Sequence, residues 1–209
     1  MANLPRVTFF HAPNSRSGGA RALLEELGAP YDLHVFSLKK NEQRDQKYLA
    51  INPMGKVPAI LHEGVLVTEQ AAVYMYLAEL YPQAGLAPAV GDPLRGAYLR
   101  WMVFYGSCFE PAVVDRAVKN PPAPPSTCPY GDFDTMLTTV KAQLAKGPYI
   151  TGDKFTAADV LWGLALKWTT GFKLVEEAPE IMAYIERVNS RPAIKRAAEK
   201  DAELAASQG

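Results

Sequence analysis

Near residues 82–93 the chain changes its pattern. Before that segment, short apolar runs alternate with amphipathic stretches; after it no strand pattern returns and helical spacing continues to the end. Sheets and helices bury their apolar faces in different ways, so this change restricts the fold to a mixed α/β domain followed by an all-helical one. The segment between them is rich in proline, glycine and alanine, the composition of a linker. The expected organisation is an α/β domain over residues 1–84, a linker over 85–92 and a helical domain over 93–209.

Within the first domain, Val7–His11 reads as a buried strand and Ser17–Leu27 as a helix with Ala20, Leu23, Leu24 and Leu27 on one face. Gly28 stops that helix. Tyr31–Phe36 alternates as a second strand, and Glu42–Leu49 is polar and helix-competent. Ala59–His62 and Val65–Val67 are strands joined by the turn residues Glu63 and Gly64, and Glu69–Tyr81 has helical spacing. The order is βαβαββα, with the first two strands parallel and the last two antiparallel. In the second domain a long aromatic-rich helix is expected from Leu94 to about Val118. A proline-rich loop follows over Asn120–Tyr130, then helices at Phe133–Lys146, Thr156–Thr170, Pro179–Ser190 and Pro192–Leu204. Thr156 and Asp159 form a capping box, with Phe155 and Val160 placed as its hydrophobic staple. The tail from Ala205 is expected to fray.

Two neighbouring segments carry the chemistry. In Ile51–Ile60, INPMGKVPAI, a proline interrupts a strand-like run. Proline has no amide donor and is confined to strand edges or first positions. A cis Val57–Pro58 bond would turn the Val57 backbone out of the sheet, leaving its N–H and C=O for a ligand. Thr68, Glu69 and Gln70 then open a helix, whose amide groups and positive dipole end favour an anion. Extended backbone beside an anion site suits a small peptide with a carboxylate.

Composition narrows the alternatives. Lys plus Arg and Asp plus Glu number 22 each, which is not the basic footprint of a nucleic-acid binder. No run approaches the roughly 20 apolar residues of a membrane span, and the N-terminal MANLPRVTFF lacks a signal-peptide pattern, so a cytoplasmic location is expected. Cys108 and Cys128 are the only cysteines, with no CxxC, and three scattered histidines suggest no metal site.

On these residues the chain resembles a cytosolic glutathione transferase of bacterial, serine/cysteine-type-like character. Three segments carry the likeness: NPMGKVPAI, similar to the family's cis-proline segment; VTEQAAVYMYLAELYP, similar to the acidic residue and Ser/Gln that open its third helix; and TGDKFTAADVLWG, similar to its C-terminal capping box. The resemblance implies a thioredoxin-like first domain, a helical second domain and a homodimer, with glutathione as co-substrate and no metal. It implies that Val57, before Pro58, pairs its backbone with the cysteinyl part of glutathione. Glu69 would take the γ-glutamyl ammonium, Gln70 its carboxylate, and Lys56, or Lys39 or Lys40, the glycyl carboxylate.

The implied reaction is attack of the glutathione thiolate on a hydrophobic electrophile. A thiol near neutral pH is mostly protonated, so a hydroxyl donor or a helix N-terminus must favour the thiolate. Those groups belong to the loop His11–Gly18. Ser15 ranks first there, Asn14 second as an amide donor and Ser17 third, because serine also serves as a helix N-cap. Asn14 falls where serine-type members keep their hydroxyl, which sustains an alternative: a non-catalytic glutathione-binding carrier or adaptor of the same fold. For the electrophile, Trp101 and Tyr105 on the long helix are candidates, although aromatic residues at helical spacing usually form core.

Overall fold

The computed structural model describes residues 4–121 and 123–208 and divides into two compact units. The first contains the segment up to Leu86 together with Arg191 onward; the second spans Ala87–Ser190.

The first unit is built on a four-stranded sheet in the order β2-β1-β3-β4, with β1 at Val7–His11, β2 at Tyr31–Val35, β3 at Ala59–His62 and β4 at Val65–Val67. β1 pairs parallel with β2 and antiparallel with β3, and β3 pairs antiparallel with β4. Edge strand β2 is largely exposed, whereas four of the five residues of the inner β1 are buried. α1, Ser17–Leu27, ends where Gly28 takes the left-handed conformation (φ 60°) that glycine adopts without a Cβ penalty. Its buried Leu23, Leu24 and Leu27 belong to a core shared with Val73, Tyr74 and Leu77 of α3, Gln70–Leu80. A separate aromatic cluster of Phe10, Phe36 and Tyr48 fills the region under the connection after β2.

That connection departs from a single helix over Glu42–Leu49. A 3₁₀ turn at Glu42–Arg44 gives way at Asp45, which is extended and accepts a hydrogen bond from the Lys47 amide at 2.8 Å. An aspartate that caps a new helix ends the one before it, leaving α2 only Gln46–Leu49.

The last helix also differs from expectation. α9 runs Pro192–Ser207, three residues beyond Leu204, and its contacts place it in the first unit, packed along α1. Arg191 makes a two-pronged ion pair with Glu26 of α1 (2.8 and 2.7 Å), and Lys200 bonds Glu25. Buried Ala193, Ile194 and Ala197 supply its apolar face. The interruption at Arg191, ahead of Pro192, separates this helix from α8.

The second unit contains α4 (Arg95–Phe104), α5 (Glu110–Val118), α6 (Phe133–Leu144), α7 (Ala157–Gly171) and α8 (Pro179–Asn189). α4 and α5 replace the single long helix because Tyr105–Phe109 forms a π turn between them. Pro111 accounts for it: without an N–H it cannot bond the carbonyl of Ser107, and its ring would clash there. Trp162 of α7 is fully buried against Trp101, Phe104, Tyr105 and Phe109, and its indole N–H donates to the Trp101 carbonyl at 3.0 Å.

The capping box at Thr156–Asp159 is formed. Buried Asp159 accepts from the Thr156 amide and hydroxyl (2.8 and 3.1 Å), the Ile150 amide (2.7 Å) and the Tyr184 hydroxyl (2.8 Å). One carboxylate therefore joins the start of α7, the preceding turn and α8. Among the described residues no helix is long and apolar enough to cross a membrane, and no group of His, Cys, Asp or Glu is arranged to hold a metal ion. Both cysteines are free thiols.

Candidate functional site

A cleft of about 450 Å³ opens in the first unit, lined by Ser15, Arg16, Leu38, Asn41, Gln43, Arg44, Gly55, Lys56 and Val57. Three of these are cations and none is a carboxylate, so the cleft favours an anionic guest.

The Val57–Pro58 bond is cis, and Val57 stands outside the ladder, two residues before β3 begins. Its carrier segment is fixed from behind. The Tyr48 hydroxyl donates to the Lys56 carbonyl at 2.6 Å, and the Asn52 side-chain amide donates to the same oxygen at 3.0 Å. Burial pushes the Tyr48 phenol above its usual pKa, against the bond to Asn52, so it remains a donor. Gly55 allows the wall behind to close. At φ 58°, an added Cβ would lie 2.8 Å from the Gln43 carbonyl and 2.9 Å from the Arg44 guanidinium.

Ser15 is the half-buried hydroxyl of the cleft. Its Oγ donates to the Ala12 carbonyl at 2.7 Å, lies 2.7 Å from Ser17 Oγ and accepts the Ser17 amide at 3.2 Å. Ser17 is not the N-cap of α1. Arg16 holds that position, and Ser17, fully buried, accepts the Ala12 amide at 3.0 Å and meets His11 Nδ1 at 2.8 Å. With no exposed surface, Ser17 cannot itself touch a ligand. Asn14 is exposed at φ 55°, a left-handed conformation that asparagine tolerates well; its amide donates to Asp201 Oδ2 at 3.2 Å. The backbone thus accounts for asparagine here without a role for its side chain.

The start of α3 differs from a simple first turn. Glu69 is the N-cap, exposed, at φ 61° and ψ 119°, a costly conformation for a residue with a Cβ. Gln70 Nε2 donates to the Arg16 carbonyl at 3.4 Å, bringing this helix end to the Arg16 side of the cleft.

Ser15, Lys56 and Val57 therefore share one cleft, while Glu69 and Gln70 approach it through Arg16. Lys40 does not line it: Lys39 and Lys40 are exposed residues of the turn after β2, and Arg44 lines the cleft instead. Arg44, Leu38 and Asn41 were not foreseen, because a polar, irregular connection has no periodicity to mark which side chains turn inward. Trp101 and Tyr105 lie in the aromatic core around Trp162, with 1% and 5% of their surface exposed. Packing is the role the structure gives these two residues, in place of an open apolar surface.

Comparison with known proteins agrees with this architecture. Residues 5–79 match the family model for the glutathione S-transferase N-terminal domain, and residues 130–201 match that for the C-terminal domain. Glutathione S-transferase GstA of Escherichia coli O157:H7 is 28% identical, over 91% of this chain and 96% of its own. Maleylacetoacetate isomerase maiA of Aspergillus fumigatus is 29% identical over 92% and 90%. A solved sphingomonad glutathione S-transferase complexed with glutathione superposes with a TM-score of 0.77 at 27% identity, covering 93% of this chain and 98% of that one. Two family domains in the expected order, together spanning most of the chain, make this chain a member of the glutathione S-transferase family.

Proposed function

We propose that this protein is a glutathione transferase that uses Ser15 to stabilise the glutathione thiolate for attack on a hydrophobic electrophile. The observation that supports the reading is the shared cleft: Ser15, Val57 and the cations Arg44 and Lys56 all line it. In it, the Val57 N–H and C=O pair with the cysteinyl residue, and Lys56 or Arg44 takes the glycyl carboxylate. Glu69 takes the γ-glutamyl ammonium, and Gln70, with the α3 N-terminus, holds the carboxylate beside it. The Ser15 hydroxyl, at the start of α1, donates to sulfur and lowers the cost of ionising the thiol. The thiolate then bonds to an electrophilic carbon while that carbon's leaving group departs with its electron pair. A homodimer is the expected assembly, as the commonest closed form and the usual one in this family.

A second reading uses the same thiolate for isomerisation, adding to a conjugated bond and leaving after rotation. The likeness to a fungal maleylacetoacetate isomerase supports it.

The test is glutathione affinity by calorimetry together with conjugation of a chloronitrobenzene and isomerisation of a cis-unsaturated diketo acid. Ser15→Ala should lower conjugation ~100-fold, the scale of losing one preorganised donor to a developing anion. Asn14→Ala should leave it within about twofold, the size of a surface change. Glutathione binding without turnover of either electrophile would leave the carrier reading; isomerisation alone would select the second one.

A further inference from the structure

A chain of four side chains leads from the cleft into the body of the first unit. Ser15 Oγ lies 2.7 Å from Ser17 Oγ, which lies 2.8 Å from His11 Nδ1; on the other side of the ring, His11 Nε2 lies 2.7 Å from Asp201 Oδ1. His11 and Ser17 have no exposed surface, so water does not supply these bonds. Only Ser15 borders the cleft.

The proton arrangement follows from the partners. His11 Nε2 and Asp201 Oδ1 lie 2.7 Å apart, and a ring nitrogen and a carboxylate oxygen that close repel unless the nitrogen is protonated, so Nε2 carries the ring proton. In neutral His11, Nδ1 is then the acceptor and the Ser17 hydroxyl donates to it. Ser17 Oγ already accepts the Ala12 amide, and the Ser15 hydroxyl has two acceptors at 2.7 Å, the Ala12 carbonyl and the remaining lone pair of Ser17 Oγ; turning from the first to the second completes the chain. Both serine oxygens lie within reach of the Ala12 carbonyl as well (2.7 Å from Ser15 and 3.1 Å from Ser17), so each hydroxyl can turn between that carbonyl and its neighbour in the chain.

We propose that His11 is the acceptor for the proton of the bound thiol, relayed through Ser15 and Ser17, and that Asp201 positions and charges-balances it. This rests on the reading of the cleft as a glutathione site. The S–H bond breaks and its proton joins Ser15 Oγ. Ser15 passes its own proton to Ser17 Oγ, and Ser17 passes its proton to His11 Nδ1. The products are a thiolate and an imidazolium facing Asp201, with no charge created or lost. The shift also reverses every hydroxyl: Nδ1–H now donates to Ser17, Ser17 to Ser15, and Ser15 to the sulfur. Proton removal and the stabilising hydrogen bond are thus two ends of one movement.

The surrounding charges fit this role. Asp201 comes from α9, His11 from β1, and Arg21 of α1 places Nη1 3.9 Å from Asp201 Oδ1. The Asn14 amide donates to the other carboxylate oxygen, Oδ2. Burial disfavours the Asp201 anion, but the His11 side chain, the Asn14 backbone amide and the Arg21 charge outweigh it, holding the carboxyl below its usual range. Asp201 is therefore ionised when the imidazolium forms. His11, Ser17 and Asp201 act through Ser15 and are positioning residues.

Asp201→Asn keeps the size of the group and removes its charge; Ser17→Ala breaks the chain in its middle. For each variant, far-ultraviolet circular dichroism would establish folding, thiolate absorbance of bound glutathione would give the thiol pKa, and kcat/KM would be followed across pH. The expected result is a bound-thiol pKa raised by about one unit in both variants, with kcat/KM about tenfold lower on the acid side and restored at alkaline pH, where hydroxide replaces the base. Asp201→Glu should recover part of the loss. An unshifted thiol pKa in both variants, or a loss of rate equal at every pH, would overturn the relay. Failure of the unsubstituted protein to bind glutathione would instead remove the site reading, and the relay with it.

Discussion

The Tyr48 hydroxyl donates to the carbonyl of Lys56 at 2.6 Å, tying α2 to the peptide that precedes Val57. The bond is partly buried and shares its acceptor with the Asn52 side-chain amide, so removing the phenol leaves one donor on that oxygen. Tyr48→Phe should weaken glutathione binding about fivefold, the scale of about 1 kcal/mol for one intramolecular hydrogen bond. On the proposed reading the bond supports the backbone that pairs with glutathione and not the reacting sulfur, so kcat should change little. Calorimetric titration beside steady-state kinetics checks this; an unchanged affinity would remove Tyr48 from the support of Val57.

Gly163 of α7 lies close against Val188 of α8. An added Cβ would lie 2.4 Å from Val188 Cγ1 and 2.6 Å from its Cβ, and a branched side chain cannot swing aside. Gly163→Ala should destabilise the protein by about 1–3 kcal/mol through overpacking, despite the better helix propensity of alanine. Val188→Ala in the same chain should recover part of that loss. Denaturant unfolding of the two single variants and the double variant measures both.

Arg191 and Glu26 link the start of α9 to α1 by two parallel bonds, with the Glu26 side chain only 7% exposed. Arg191→Ala leaves that carboxylate without its main partner and should cost about 2 kcal/mol, less than a fully buried pair because the arginine is one-third exposed. Adding Glu26→Gln should lessen the loss. Thermal unfolding of the cycle would show the coupling, and additive losses would contradict it.

Asp201 gives a pH signature to stability. Its folded pKa lies below the unfolded value of about 3.9, so the stabilisation is complete above roughly pH 4 and is lost as pH falls through the folded value. The facing groups are His11, Arg21 and the Asn14 amide. In urea unfolding from neutral pH down to about pH 3, Asp201→Asn should show a shallower acid decline than the unsubstituted chain. Parallel profiles would show that Asp201 does not contribute there.

Asp201 also marks the limit of what could be read from the residues in order. It sits in a helix patterned like any other, and nothing in its neighbours points toward His11. Likewise Ser17 has the residue type and place of an N-cap, yet its hydroxyl is drawn inward by the Ala12 amide and the His11 ring. Trp101 and Tyr105 had spacing compatible with either a pocket or a core, and Trp162, distant in sequence, decided for the core.

Local chemistry by itself determined the βαβαββα order, the strand boundaries apart from the end of β2, which stops at Val35 and not Phe36, the capping box and the Gly28 stop, since each depends on periodicity or on a backbone preference within a few residues. Ser15 and Val57, singled out by residue type and short-range context, and Lys56, implied by the resemblance, all line the cleft. Tertiary structure alone decided that α9 packs with the first unit, that Arg44 and not Lys40 lines the cleft, and that Ser15 stands at the end of a buried chain to Asp201. Those features depend on which distant surfaces are buried together, and side-chain direction at such contacts is set by packing and hydrogen-bond satisfaction across the fold, which no local pattern encodes.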